Sequence, residues 1–353
     1  MSSTTFDLES LVRPNIKELT PYRCARDDYD KGVLLDANEN AIGSVPADIR
    51  ELNRYPDPRQ DALRDQYADF RRIRRDQIFC GVGSDEAIDL LIRIFCRPGI
   101  DHIMITPPTY GMYKVSAAIN DIGVQAVPLN PDFTLDSQAV LDAVYDTTKV
   151  IFLCSPNNPT GNLLDKDSVR AVLRGFSGIV VVDEAYIDFS DDDGFASELD
   201  QYPNLVILQT LSKSFGLAGI RLGLALASES IISYMLRVKA PYNVNKLSTE
   251  TALKAMHAVP VMKAYVKALN NERAWLQKEL ETIPGVHKIH PSDANFLLVV
   301  IDRAFELYKS MADSGVVIRY RGDQLHCDST LRITVGTHAE NATLIHRLNE
   351  AIQ

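Results

Sequence analysis

The run Ile179, Val180, Val181, Val182 is unbroken and β-branched, and it stops at Asp183, Glu184, Ala185 and Tyr186. A strand without polar alternation is buried on both faces, and that is the habit of parallel sheets covered by helices. The same rhythm recurs along the chain: apolar strand patterns over 78–80, 103–106, 124–129, 149–154 and 205–208, with helical spacing over 61–73, 87–95, 112–119 and 166–173. Strand and helix alternating from about 78 to 225 predict an α/β fold with a mostly parallel sheet. In such sheets ligands bind beyond the carboxyl ends of the strands. Ser84, Tyr110, Asn157, Asp183, Tyr186 and Lys213 all follow predicted strand ends, so one crevice can gather them.

From about residue 248 the pattern changes to long amphipathic helices, one starting at Pro260 and running to about 283. Strands over 295–301, 316–320 and 331–335 follow, with helices over 304–314 and 339–352. This predicts a smaller α+β domain over 246–353, beside a large domain over 36–245 and an N-terminal arm over 1–35. The arm carries a helical pattern near 8–19 ended by Pro21, and Leu34 and Leu35 suggest a short strand entering the polar loop Asp36 to Asn40.

A length of 353 residues with 46% hydrophobic content is enough for a large core. Net charge is −10 and no long basic stripe is present, so nucleic acid is not the expected partner. The start, MSSTTFDLESLVRP, lacks an apolar stretch of leader length, and no run of eighteen apolar residues occurs, so a cytoplasmic protein without a membrane partner is expected. Five cysteines without a C-x-x-C and seven scattered histidines indicate neither a disulfide framework nor a metal site.

The stretch LVILQTLSKSFGLAGIRLG, residues 205–223, places Lys213 where a buried strand opens into a loop. A desolvated lysine loses basicity and suits imine chemistry. Arg221, beyond the glycines, can return to the same pocket and grip an anion. Alone, this pair reads more readily as an ordinary surface Lys and Arg in a loop; the other stretches reverse that. Gly81 to Glu86 feeds a helix N-terminus, where free N–H groups and the helix dipole favour a phosphate; Glu86 breaks the dinucleotide fingerprint, and simple capping by Ser84 or Asp85 remains open. Tyr55, held out by Pro56 and Pro58, is placed to touch something or is a plain turn tyrosine. Arg319 and Arg332 sit on β-rich segments, where a cation needs an acidic partner or an anionic ligand.

Pyridoxal phosphate requires an amine, an acid for its pyridine nitrogen, donors for its ring oxygen, a stacking ring and a phosphate cradle. Lys213, Asp183, Asn157 with Tyr186, and Tyr110 offer the first four. Ser84, Asp85 through its N–H, Ser212 and Arg221 offer the cradle. The motifs SPNNPTG, VVVDEAY, TLSKSFGLAGIRLG and TLRITVG resemble the fold-type I aminotransferases of the aspartate aminotransferase superfamily, over nearly the whole chain. Within it LTPY, LDANEN, RYPDP, GVGSDEAIDL, KAPYNVNKLS and LRITVGT resemble the histidinol-phosphate aminotransferase family. The resemblance implies exchange of an amino group between histidinol phosphate and 2-oxoglutarate in histidine biosynthesis. Lys213, Asp183 and Tyr186 would be the catalytic group, and Gly83, Ser84, Asp85, Tyr110, Asn157, Ser212 and Arg221 the remaining cofactor contacts. Tyr55 would come from the neighbouring subunit of a homodimer, and Tyr22, Asn38, Arg319 and Arg332 would lie near the substrate's anionic end. Arg321 matches no motif. Relatives acting on aromatic amino acids, or decarboxylating threonine phosphate, are the alternatives within the same fold.

Overall fold

The computed structural model describes residues 6–29, 31–45 and 52–352. Strands β1 Ile78–Val82, β2 His102–Ile105, β3 Gly123–Ala126, β4 Thr148–Cys154, β5 Ile179–Asp183, β6 Leu205–Thr210 and β7 Leu222–Ala227 form one sheet in the order β1-β7-β6-β5-β4-β2-β3. β2 to β6 pair in parallel, whereas β7 runs antiparallel to both β6 and β1. Residue parity divides the sheet into two faces with separate cores: Ile78, Ile151, Val180, Val182 and Ile207 on one, Phe79, Phe152, Ile179, Val181 and Val206 on the other. Each such side chain removed from water is worth about 1.5–3 kcal/mol, so the alternation locks register on both faces at once.

Helices α1 Leu8–Leu11, α2 Pro14–Lys17, α3 Ala25–Asp28, α4 Asp61–Arg71, α5 Gly83–Phe95, α6 Met112–Ile119, α7 Ser137–Asp142, α8 Lys166–Gly175, α9 Glu229–Val238 and α10 Lys246–Met256 surround that sheet or lead into it. Several begin at caps the sequence announces: Asp165 accepts from Ser168 N at 2.8 Å to start α8, and Asn245 accepts from Ser248 N at 2.9 Å to start α10. The arm differs from expectation. Pro14 has no N–H and takes the first helical position of α2, so the helical stretch splits in two. No strand forms at Leu34 and Leu35; Leu35 is exposed and the segment finds no strand to pair with among the described residues.

Helix α11 Val259–Glu281 links this body to a second sheet of β8 Val286–Ile289, β9 Phe296–Ile301, β10 Arg319–Tyr320 and β11 Thr330–Thr334, in the order β10-β11-β9-β8 and all antiparallel. Helices α12 Ala304–Asp313 and α13 His338–Ile352 pack with it over Leu276, Leu280, Val299, Leu331 and Leu344. Only Arg319 and Tyr320 of the expected 316–320 strand are paired. The first half of α11 belongs elsewhere: Met262 and Val266 pack with Tyr186, Phe189 and Phe296, between the two sheets. Among the described residues no helix is long and apolar enough to cross a membrane.

Candidate active site

A crevice opens at the carboxyl ends of β4, β5 and β6, and its floor is Asp183, the last residue of β5. The carboxylate is buried. Oδ2 accepts from the Tyr113 hydroxyl at 2.6 Å and Oδ1 from the Ala185 N–H at 3.1 Å, but no cation among the described residues lies within ion-pair distance. Burial pushes its pKa up to about 6 against the pull of these two donors, with the more distant Lys213 also favouring the charged form. A buried carboxylate hydrogen-bonded but not charge-paired is a receptor for a cationic N–H. Tyr113 is in turn fixed by stacking on Phe152, ring centroids 4.7 Å apart.

Lys213 lines the same crevice, on the loop that follows β6. Its amine lies 5.5 Å from the centre of the Tyr186 ring. Burial, and then the positive charge of Arg332, hold its pKa below the ordinary lysine range, while Asp183 acts in the opposite sense. The loop is braced from behind: Ser214 donates to Asp188 at 2.5 Å, Arg71 donates to Asp188 at 2.8 Å, and Tyr67 donates to Gln209 at 2.6 Å. Gln209 then donates to Glu184 at 2.8 Å, next to Asp183. Glu184 is itself buried, which pushes its pKa up to about 7.

Gly83, Ser84, Asp85, Ser212 and Arg221 line the far side. Here α5 starts directly from β1 at Gly83, four residues earlier than the spacing suggests, and Val82 supplies no side chain to cap it. Gly83 has φ +71°, and a Cβ there would meet Arg221 Nη2 at 2.7 Å; its N–H donates to Arg221 O at 2.9 Å. An uncapped helix start beside a half-exposed guanidinium and the Ser212 hydroxyl is an anion site. Arg221 donates to Asp85 at 3.4 Å and to the Ala218 carbonyl at 3.5 Å, both long contacts. Tyr110 forms one wall and donates to Asp85 at 3.1 Å.

Asn157 does not line the crevice. Its Nδ2 donates to Pro108 O at 2.8 Å and to Thr160 Oγ1 at 2.7 Å, so both hydrogens brace the 155–161 loop and the side chain is fully enclosed. The neighbouring Asn158 faces the crevice instead, accepting from Arg332 Nη1 at 2.5 Å. Two consecutive asparagines in one rigid loop point to different sides, and spacing alone does not say which is which. Tyr113 also escapes a reading of the sequence; its one signal is a tyrosine one helical turn beyond Tyr110.

Arg332, on β11, thus reaches the crevice rim, with Arg319 paired opposite it across the ladder. Tyr55, Tyr22 and Asn38 lie outside this crevice. Tyr55 is half-exposed and stacked on Tyr242 at 4.4 Å in a groove with Arg54 and Lys246; Tyr22 lines a separate cavity with Arg23 and Arg59; Asn38 is exposed at φ +52°.

The demands of pyridoxal phosphate can be set against these donors. An uncompensated buried carboxylate, a desolvated amine and an uncapped helix start with an arginine sit around one cleft, and each is a group the cofactor's ring nitrogen, carbonyl and phosphate would satisfy. The residues fit.

Comparison with known proteins agrees with that fit. Histidinol-phosphate aminotransferase of Cytophaga hutchinsonii is 49% identical over 342 residues, covering 96% of this chain and 98% of that protein. The enzyme of the same name from Parabacteroides distasonis is 48% identical over 344 residues, covering 97% and 98%. A crystal structure of histidinol-phosphate aminotransferase from Sinorhizobium meliloti in complex with pyridoxal-5′-phosphate shares the fold, with a TM-score of 0.79 over 90% of this chain and 89% of that one, at 23% identity. Residues 26–348 match the family described as Aminotransferase class I and II, and the chain belongs to that family.

Proposed function

We propose that this chain binds pyridoxal 5′-phosphate in the crevice and transfers the amino group of L-histidinol phosphate to 2-oxoglutarate, giving imidazole-acetol phosphate and glutamate. The observation that carries the chemistry is the pairing of a buried, cation-free carboxylate at Asp183 with a desolvated amine at Lys213 in one cleft. The substrate follows the two relatives that share nearly half their residues with this chain over almost its full length.

When bound, the cofactor supplies a carbonyl for imine formation and a ring that accepts the electron pair left at the substrate's α-carbon. The chain's residues divide the remaining work. Asp183, held by Tyr113, keeps a proton on the ring nitrogen. Tyr186 and Asn158 donate to the ring oxygen, Tyr110 covers the ring face, and Ser212, Arg221 and the N–H groups of Ser84 and Asp85 hold the phosphate. Lys213 provides the amine for attachment and, once released, the base that moves the α-proton; its lowered pKa leaves more of it neutral at physiological pH. Arg332 and Arg319 receive the substrate's anionic end. In this reading the enzyme is a cytoplasmic homodimer, and Tyr55 completes the phosphate site of the neighbouring subunit.

The test is spectroscopic. Histidinol phosphate added to the cofactor-loaded protein should bleach the imine absorption, and 2-oxoglutarate should restore it. Bleaching by phenylalanine but not by histidinol phosphate would move the enzyme to the aromatic branch, and loss of carbon dioxide from threonine phosphate would move it to the decarboxylases.

A further inference from the structure

Arg321, which no sequence motif claims, follows β10 directly and continues its ladder, its N–H donating to Thr330 O at 2.9 Å. Side chains two apart on an extended strand share a face, so Arg319 and Arg321 project together. Across the ladder Arg319 is paired with Arg332, which makes Arg321 the diagonal neighbour of Arg332 on that same face. Tyr320, between them, turns the other way into the core of the small sheet. Three guanidinium groups thus converge on the rim beside Tyr186, whose hydroxyl feels both Arg332 and Arg321.

Like charges directly opposed on a ladder repel. Here nothing among the described residues offsets them at ion-pair distance: Arg332 is held by the neutral Asn158 amide, Arg319 is exposed, and Arg321 has only the longer-range charge of Asp323. Arg321 Nε is buried with no hydrogen-bond partner. Burial and the two neighbouring arginines hold its pKa below the ordinary arginine value. A side chain that loses solvation, faces two like charges and leaves a donor unsatisfied is built to meet an anion.

The functional reading above requires this rim to accept two anions of unlike charge. A carboxylate brings one negative charge and two acceptor oxygens, which Arg332 and Arg319 can meet. A phosphomonoester brings nearly two charges and three acceptor oxygens. Resting on that reading, we propose that Arg321 is the specificity-determining residue for the phosphomonoester substrate, its guanidinium donating to a phosphate oxygen that the dicarboxylate partner lacks.

The experiment is a pair of single-turnover half-reactions on the cofactor-loaded enzyme, one with histidinol phosphate and one with glutamate, comparing the unaltered protein with Arg321→Gln and Arg321→Lys. Loss of one charge-assisted hydrogen bond should raise the half-saturating concentration of histidinol phosphate about tenfold or more in Arg321→Gln. The glutamate value should move by less than about threefold on the same scale. Arg321→Lys, which keeps charge but loses the fork, should fall between. Two unreactive inhibitors give a readout independent of turnover: inhibition by glycerol 3-phosphate should weaken in Arg321→Gln much more than inhibition by glutarate. Equal shifts for the two half-reactions, a larger shift for glutamate, or no shift at all would overturn the assignment, even with the unaltered enzyme fully active on histidinol phosphate. An unaltered enzyme inert to histidinol phosphate would instead remove the functional reading, and this inference with it.

Discussion

At the scale of single residues the site is defined by charges kept out of water. Asp183 has a folded-state pKa of about 6, above the ordinary 3.8, because burial disfavours its anion. A carboxyl raised in this way stabilises the fold most below pH 3.8, and that contribution is lost as pH rises to about 6 and stays lost above it. The corresponding difference is on the order of 3 kcal/mol. Asp183→Asn should therefore make the cofactor-free protein more stable at pH 8, by about 1–3 kcal/mol, a gain held below the full difference because the amide oxygen cannot replace both oxygens that accept from Tyr113 and Ala185. That gain should vanish near pH 4. The same variant should lose transamination by several orders of magnitude, since the ring nitrogen would no longer be held protonated. Thermal unfolding of the cofactor-free proteins across pH, with activity at pH 8, checks both halves; a variant less stable at pH 8 would mean that Asp183 is not strained in the empty crevice. Much at this scale is legible in the sequence alone, since Lys213 and Asp183 follow strands whose apolar runs end abruptly. The asparagine is not, because Asn157 and Asn158 are chemically identical and only the hydrogen bonds to Pro108 and Thr160 tell them apart.

At the scale of elements, the phosphate side of the crevice depends on how closely β7 can approach the start of α5. Gly223 pairs with Gly81 across the β1–β7 ladder, and a Cβ at 223 would collide with Ser84 N and the Gly83 carbonyl carbon, which are backbone atoms and cannot swing aside. Gly223→Ala should displace the helix start. We expect a loss of about 1–3 kcal/mol from overpacking, together with faster release of cofactor on dialysis. Gly219→Ala is the matching control, because a Cβ there would meet nothing within 4 Å, and it should leave retention unchanged. Equal retention in both variants would show that the β7–α5 contact does not shape the anion site. The strands that the sequence pattern does not mark, β7 and β8, are short or lie directly after a glycine-rich turn. Leu222 to Ala227 alternates leucine with glycine and alanine, a composition that suits a strand pressed against a helix but carries little β preference. The segment at Leu34 and Leu35 misleads in the other direction, because apolar residues alone do not make a strand without an edge to pair with.

At the scale of the molecule, the change of pattern near residue 246 marks α10, yet α10 packs on α4 and sends Ala252 and Met256 into the core of the larger sheet. We infer that the division between the two bodies falls inside α11, whose first half touches Tyr186 and whose second half packs on the small sheet. The N-terminal region leaves Tyr29, Val33, Leu35, Ile42 and Val45 exposed, a concentration of apolar surface suited to a second copy. Tyr55 belongs to the same region and is absent from its own chain's crevice. If it serves the partner's site, each catalytic centre is a composite of two chains, and complementation can prove it. Lys213→Ala lacks the reactive amine, and Tyr55→Ala lacks the shared contact, so each homodimer should be impaired. In a hybrid dimer, the subunit carrying Tyr55→Ala keeps Lys213 and receives Tyr55 from its partner. One of its two sites is then intact. Random pairing of equal amounts makes half the dimers hybrid, so about one quarter of all sites should regain full cofactor affinity and turnover. Co-expression with two affinity tags and assay of the doubly tagged fraction measures this directly. If Tyr55 acted within its own chain, every hybrid site would still lack either the amine or the tyrosine, and the doubly tagged fraction would do no better than the Tyr55→Ala homodimer.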